Sequence, residues 1–314
     1  MTDPSIGQGS AHGKIILLGE HSVVYNKPSI AIPFPAAKVT ARVEKALSAT
    51  RIDCDFYHGL LDNMPELLES LKATIRVSLE YLKKQDNYLH ITIDSDIPAE
   101  RGMGSSAAVS VATTRGIFDY FKTPLSQEKL LEIVEVAETI AHGNPSGLDA
   151  LMTSSESPCY FVKGQPFQKL ALNLDTYLVV GDTGITGQTK EAVESIAENL
   201  VGTEQYLVKT ALDDLGLLAD KGREFLESNQ GFKLGIVMTR VHQILDILGV
   251  SSPELNHLVL TALKHQALGA KLTGGGRGGC MIALASNKES AETISLAIKE
   301  AGAKQTWIYE MRGQ

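Results

Sequence analysis

A chain of about two domains that mixes strands and helices is predicted by three observations. Its 314 residues, 43% hydrophobic and 21% charged, are enough for two ordinary hydrophobic cores. An apolar strand, a glycine-bearing loop and an amphipathic helix follow one another twice, from Leu89 and again from Tyr177. Long helical patterns then fill residues 204 to 247 and 253 to 268 before an apolar strand at Cys280–Leu284. The Gly164-Gln165-Pro166 turn places the boundary near residue 170, which gives domains at 1–170 and 171–314.

Taken in order, Ile15-Ile16-Leu17-Leu18 reads as a buried strand ending at Gly19-Glu20-His21, with Val23-Val24-Tyr25 leading into an Asn26-Lys27-Pro28 turn. Leu89-His90-Ile91-Thr92-Ile93 alternates as a half-buried strand. Ser126 opens a helix with Leu130, Ile133, Val134, Ala137 and Ala141 on one stripe, which stops near His142-Gly143-Asn144-Pro145. Tyr177-Leu178-Val179-Val180 is a further strand, and Ala192, Val193, Ile196 and Ala197 mark the face of the helix after Gly184 and Gly187.

Asp96 to Ala108, D-I-P-A-E-R-G-M-G-S-S-A-A, points to an anion. Gly102 and Gly104 let the backbone approach a ligand, and a helix opening at Ser105 aims unpaired N–H groups and partial positive charge at it. The hydroxyls of Ser105 and Ser106 stand where Mg²⁺ beside bound phosphates needs an oxygen ligand, so nucleotide is the leading ligand. The alternative is a plain strand-to-helix turn with capping serines. The segment fits neither G-x-x-x-x-G-K-[ST] nor G-x-G-x-x-G.

A net charge of −8 argues against broad nucleic-acid binding. Three widely spaced cysteines suggest neither a disulfide framework nor a zinc site, and a reducing cytoplasm suits them. The N-terminal residues lack a basic-then-apolar signal, and no apolar run reaches about 18 residues, so no membrane span is expected.

Among groups able to do chemistry, Glu138 falls on the inner side of its helix, between Leu131 and Val134, while Glu128, Glu132 and Glu135 point outward. A carboxylate there needs a partner, either a structural lysine or arginine or a metal ion. Asn144-Pro145-Ser146-Gly147-Leu148-Asp149 delivers one aspartate at the end of a punctuated loop, as a helix cap or as a charge aimed into a cleft. Lys14 enters the first strand either as a solvated side chain or as a partner for Asp149. Such a pair would orient a hydroxyl more than ionise it, which suits phosphoryl transfer and its loose transition state. Glu20 and His21 form either a satisfied polar turn or contacts to a polar substrate.

With loops at Lys14–Pro33, Asp96–Ala108 and Lys271–Leu284 in this order, the sequence resembles the galactokinase, homoserine kinase, mevalonate kinase and phosphomevalonate kinase superfamily over nearly its whole length. G-K-I-I-L-L-G-E-H-S-V-V-Y, N-P-S-G-L-D and K-L-T-G-G-G-R-G-G-C are most similar to its mevalonate-using branch. The resemblance implies an α+β, two-domain fold: an N-terminal α/β domain with a left-handed β-α-β crossover and a ferredoxin-like C-terminal domain. It implies phosphoryl transfer from ATP with Mg²⁺ to the primary hydroxyl of mevalonate, by a homodimer. By motif position, Lys14 and Asp149 match the catalytic pair, Ser106 and Glu138 the magnesium ligands, and Glu20, His21 and Thr189 the substrate side. Gly102, Met103, Gly104, Ser105 and Ser106 match the triphosphate cradle, and Gly274, Gly275 and Gly276 open the third glycine loop. Three departures stand out: His12 where proline is frequent, Arg277 where glycine is common, and P-A-E-R-G, which is less glycine-rich than usual.

Overall fold

The structure, a computed structural model, describes residues 6–143 and 145–312. Asn144 of the loop before Asp149, and the first residues of the N-terminal stretch, lie outside them. The chain forms two compact units that interleave in sequence, where the sequence reading places a single boundary near residue 170. The first unit comprises residues up to Gly13, Ala37–Ala99 and Gly104–Ser155, and the second Lys14–Ala36, Glu100–Met103 and Glu156 onward. Two long strands, β1 (Gly7–Leu18) and β2 (Ser29–Lys45), each run from one unit into the other.

In the first unit, β3 (Arg51–Cys54) and β4 (Tyr57–Leu60) form a hairpin. Helix α1 (Glu69–Leu82) follows, closed by Lys83 in the left-handed region, and then β5 (Leu89–Ser95). β5 pairs antiparallel with β2, setting Ile91 opposite Val43 and Ile93 opposite Ala41, and parallel with β3, so a β-α-β crossover lies here. Alternation along β5 buries Leu89, Ile91 and Ile93. Helices α2 (Ser105–Tyr120), α3 (Gln127–His142) and α4 (Leu148–Ser154) complete the unit. The Ser126 side chain accepts the Lys129 N–H as the N-cap of α3, as its sequence position predicts. Gly7 and Gly9 of β1 lie against the α2 backbone, where a Cβ on Gly9 would come within 2.0 Å of the Ala112 carbonyl oxygen.

The second unit begins with the end of β1, a 3₁₀ turn at Ser22–Tyr25 and the start of β2, which pairs with β6 (Cys159–Phe161). β7 (Gln168–Lys169) extends that edge. After β8 (Asn173–Asp182) come α5 (Thr189–Asn199), α6 (Gln205–Glu227), α7 (Gly231–Ile247) and α8 (Pro253–Lys264). Strands β9 (Gly269–Thr273) and β10 (Cys280–Ala285), helix α9 (Lys288–Glu300) and β11 (Gln305–Arg312) close the chain. The order β11-β8-β10-β9, all antiparallel, is the 4-1-3-2 arrangement of a ferredoxin-like sheet, as the resemblance implies. β9 and β10 are buried throughout, so their sequences read as apolar runs without alternation. A Cβ on Gly235 of α7 would lie 2.2 Å from the Leu268 carbonyl oxygen, so helix and strand meet there by backbone.

Among the described residues no helix is long and apolar enough to cross a membrane. All three cysteines are free. Burial pushes the Cys159 thiol up to about 11 and that of Cys280 well above its ordinary value, while Cys54 on β3 is partly exposed.

Candidate active site

Lys14 opens the fully buried end of β1. Its side chain is 6% exposed, and its backbone N–H donates to the Met103 carbonyl at 3.0 Å. The strand ends at Gly19 (φ 94°), where a Cβ would come within 2.5 Å of the Pro28 and Ser29 backbone, so only glycine turns the chain here. Glu20 and His21 follow, both buried, with His21 itself left-handed at φ 60°. A non-glycine residue held there costs about 1–3 kcal/mol and persists only where its surroundings over-determine it.

The His21 ring supplies part of that determination, because Nε2 lies 3.0 Å from the Gly275 carbonyl. A carbonyl only accepts, so Nε2 carries the proton and Nδ1 of the neutral ring is left as an acceptor. Burial is the main cause that lowers the His21 pKa to about 4, against the opposing pull of that hydrogen bond. The unfolded chain therefore takes up a proton below about pH 6.5 that the folded chain refuses until about pH 4. Stability from this group is full above 6.5 and is lost as pH falls from there to 4. Relative to His21→Gln, urea unfolding of the unaltered protein should lose about 3 kcal/mol over that window. Parallel pH profiles of the two proteins would remove this titration.

Glu20 meets Lys271, whose ammonium donates to Glu20 Oε1 and, at 2.6 Å, to the Leu272 carbonyl. Both side chains are wholly buried. Burial raises the Glu20 pKa and lowers that of Lys271, while each partner's charge opposes the shift. Lys14 adds a smaller downward pull on Glu20. Glu20 Oε2 is buried and has no hydrogen-bond partner among the described residues, which leaves an acceptor unsatisfied. Behind Lys271, the Leu272 N–H donates to His242 Nδ1 at 3.3 Å, and Thr273 Oγ1 donates to the Ile16 carbonyl at 2.9 Å, tying β9 to β1.

The third glycine loop packs against the same residues. A Cβ on Gly275 would fall 1.8 Å from Thr189 Oγ1, so Thr189 sits directly on the residue that His21 bonds. Gly274 and Gly102 approach each other by Cα, where an added Cβ would find only 3.0–3.2 Å. Arg277 is left-handed at φ 54°, its N–H donating to the Val250 carbonyl and its Nε to the Gly249 carbonyl. The arginine that replaces a common glycine is thus anchored to the turn after α7.

Through the phosphate-loop segment the backbone takes positive φ at alternate residues, Glu100 (57°), Gly102 (79°) and Gly104 (72°). Alternation of this kind turns successive N–H groups toward one concavity, which is an anion nest. α2 begins at Ser105 behind Gly104, with no side-chain cap and no acidic residue in its first turn, so its first N–H groups are open to an anion. Ser106 Oγ is buried without a hydrogen-bond partner among the described residues. Glu138 is 3% exposed, whereas Glu128, Glu132 and Glu135 are exposed, as the helical arithmetic predicts. Gly147, left-handed at φ 75°, is the N-cap of α4, and the Leu148 N–H that opens the helix donates to Ser146 Oγ at 3.3 Å. Asp149 stands in the first turn of that helix.

Glu20, His21, Thr189 and Gly274–Gly276 are thus gathered in the second unit together with Lys14, Gly102 and Met103, while Gly104, Ser105, Ser106, Glu138 and Asp149 belong to the first. Lys271 escaped the sequence reading. Its signal is a lone lysine inside the buried run Gly269–Thr273, next to the glycine loop. Arg101 also escaped, because a polar loop residue carries no periodicity. Among the described residues no group of three or more histidine, cysteine or acidic side chains forms a metal cluster. Mg²⁺ does not need one, since it keeps water and phosphate for most of its coordination shell.

A family model for the GHMP kinases N terminal domain matches residues 69–156, and one for the GHMP kinases C terminal domain matches residues 214–304. The chain belongs to the GHMP kinase family. Its relatives there are mevalonate kinases: that of Thermococcus sibiricus is 34% identical over 93% of this chain and 92% of its own length, and that of Pyrococcus abyssi 34% identical over 95% and 94%. The crystal structure of mevalonate kinase from methicillin-resistant Staphylococcus aureus aligns with a TM-score of 0.79 at 35% identity, covering 98% of this chain and 100% of that one. The L. major mevalonate kinase, solved in complex with R-mevalonate, aligns with a TM-score of 0.86 at 26% identity, covering 100% of this chain and 99% of that one.

Proposed function

We propose that this enzyme transfers the γ-phosphoryl group of ATP to the primary hydroxyl of (R)-mevalonate, giving 5-phosphomevalonate and ADP for isoprenoid synthesis. The observation that carries the acceptor is the polar cluster of Glu20, His21 and Thr189. An unpartnered buried carboxylate oxygen and a neutral imidazole Nδ1 are offered beside a threonine hydroxyl. That set suits a small hydroxylated acid whose hydroxyls donate.

The nest at residues 100–104 and the open turn at Ser105–Ser106 hold the triphosphate by backbone N–H groups. Lys14 neutralises charge on the transferring group, and Asp149 orients the acceptor hydroxyl and takes its proton late. Ser106 and Glu138 fit a magnesium ion, since Ser106 Oγ is a buried oxygen lacking a hydrogen bond and Glu138 is a buried carboxylate. When bound, the ion would offset charge on the phosphate oxygens. The homodimer implied by the resemblance and the cytoplasmic setting that the free cysteines suit belong to the same reading.

Ser106→Ala separates ligand from scaffold. It removes a hydroxyl with no hydrogen bond to lose, so melting without nucleotide should stay within about 1 kcal/mol of the unaltered protein. The Mg²⁺ concentration for half-maximal rate should rise about tenfold, as should that of Glu138→Gln. An unchanged magnesium titration in both would remove them as ligands.

The substrate itself is tested by ADP release from Mg-ATP against mevalonate, phosphomevalonate, galactose and homoserine. Turnover on mevalonate alone is expected. Turnover on another acceptor would keep the phosphate loop and overturn the reading of Glu20, His21 and Thr189.

A further inference from the structure

The phosphate-loop residue Arg101 sends its side chain into the turn after β8. Nε donates to Asp182 Oδ1 at 3.1 Å, one terminal nitrogen to Thr186 Oγ1 at 3.0 Å and the other to the Gly184 carbonyl at 3.1 Å. Asp182 Oδ1 also accepts the Gly184 N–H at 2.9 Å, which fixes the turn that receives the fork. The pair is largely out of water, with side-chain exposures of 16% for Arg101 and 7% for Asp182. Two backbone bonds bracket it: Gly187 N–H to the Glu100 carbonyl and Lys14 N–H to the Met103 carbonyl, both 3.0 Å.

This segment includes Glu100, a non-glycine residue at φ 57°, next to Gly102 at 79°. Such a backbone relaxes unless its neighbours hold it. The 183–188 turn is in turn bonded to the third glycine loop, through Gln188 N–H to the Gly276 carbonyl and Gly279 N–H to the Ile185 carbonyl. Arg101 is therefore the side chain that joins the phosphate segment to the turn carrying Thr189 and, through it, to Gly275.

We propose that Arg101 is a positioning residue that holds the nest in its anion-binding shape through the Asp182–Thr186 turn, without touching the nucleotide. The inference rests on the phosphate reading of this loop. It requires the planar fork of arginine, since a lysine carries the same charge but cannot reach three acceptors with fixed geometry.

The test is steady-state kinetics and calorimetric ATP binding for Arg101→Met, Arg101→Lys and Thr186→Val, with melting curves. Thr186→Val is the mild variant, because it removes one exposed acceptor and leaves the ion pair. Both arginine variants should weaken ATP about tenfold, and Thr186→Val about two- to threefold, with kcat and the KM of the acceptor nearly unchanged. Wild-type ATP affinity in Arg101→Lys alongside a loss in Arg101→Met would mean that charge, not the fork, matters, and would overturn the proposal. Unchanged ATP affinity in Thr186→Val together with equal losses in kcat and acceptor affinity in the arginine variants would reduce the clasp to general structure. If the unaltered protein binds no ATP, the phosphate reading itself falls; if it binds and all three variants bind equally well, only the clasp falls.

Discussion

Asp149→Asn should lower kcat by about 10²-fold or more while leaving the protein folded, the loss expected when a positioned acid–base group goes. The fold should survive because Asp149 is not the cap of α4. Gly147 takes that position with φ 75°, and the Leu148 N–H is met by Ser146 Oγ. A negative charge in the first turn of a helix contributes about 0.3–1 kcal/mol. Asparagine keeps the shape of the side chain and its ability to accept a hydrogen bond, but not its charge or its proton affinity. The KM for ATP should move little, since the substitution alters the group proposed to act on the acceptor hydroxyl and leaves residues 100–106 unchanged. Single-turnover rates with melting curves check this, and near-normal turnover would remove Asp149 from the mechanism.

Lys271→Met carries the largest expected cost in stability. Removing one partner of a buried ion pair typically costs about 3–5 kcal/mol, because the other charge is left in a dry site. Here the survivor can take up a proton. Burial already raises the Glu20 pKa, and loss of Lys271 takes away the strongest opposing influence, so it climbs further. A carboxyl whose folded pKa lies above its unfolded value gives stability that is full below the unfolded value of 4.5 and lost as pH rises through the folded one. The variant should therefore lie nearest the unaltered protein in acid and fall behind steadily toward neutrality, within the about 3–5 kcal/mol of a broken buried pair. The double variant Glu20→Gln, Lys271→Met should recover most of that loss, since it leaves no charge unpaired. Urea unfolding at pH 4.5, 6 and 7.5 decides the matter. A penalty constant with pH would show that Lys271 supports the fold by packing and not by its charge.

Much of the fold was legible in the sequence where burial leaves a period. The apolar stripe of α3 from Leu130 to Ala137 and its Ser126 cap, the alternation of β5 and the continuous apolar run at the end of β1 match the structure, while Ala141 at the end of that stripe is exposed. The inward placement of Glu138 followed from 100° per residue alone. Strand β2 was harder to read, since it is continuously buried from Ser29 to Phe34 and alternates only after Ala37, so no single period spans it. The ferredoxin-like order of the second sheet came from the motif resemblance and not from any local pattern, because strand order is set by contacts between distant segments.

Site residues divide along the same line. Glu20 and His21 stand out because polar side chains at the end of an apolar strand are unusual. Lys271 pairs with Glu20 across 251 positions, so neither neighbourhood announces the other. The Arg101 fork likewise spans about 80 positions to the turn after β8. Asp149 was read both as a helix cap and as a catalytic group. The N-cap position falls to the left-handed Gly147, with Asp149 two residues on, and that depends on a backbone angle that Gly-Leu-Asp does not announce.

The unequal burial of the three free cysteines has a practical consequence. A thiol reagent reacts with the thiolate, and Cys159 and Cys280 are both buried with pKa values pushed upward. Cys54, at the end of a short strand in the first unit, is the only one of the three that is partly exposed. A maleimide dye at neutral pH should therefore label the native protein at one equivalent, with the other two thiols appearing only on denaturation. The natural chain thus carries its own single attachment point for a spectroscopic reporter, with no engineered cysteine and none to remove.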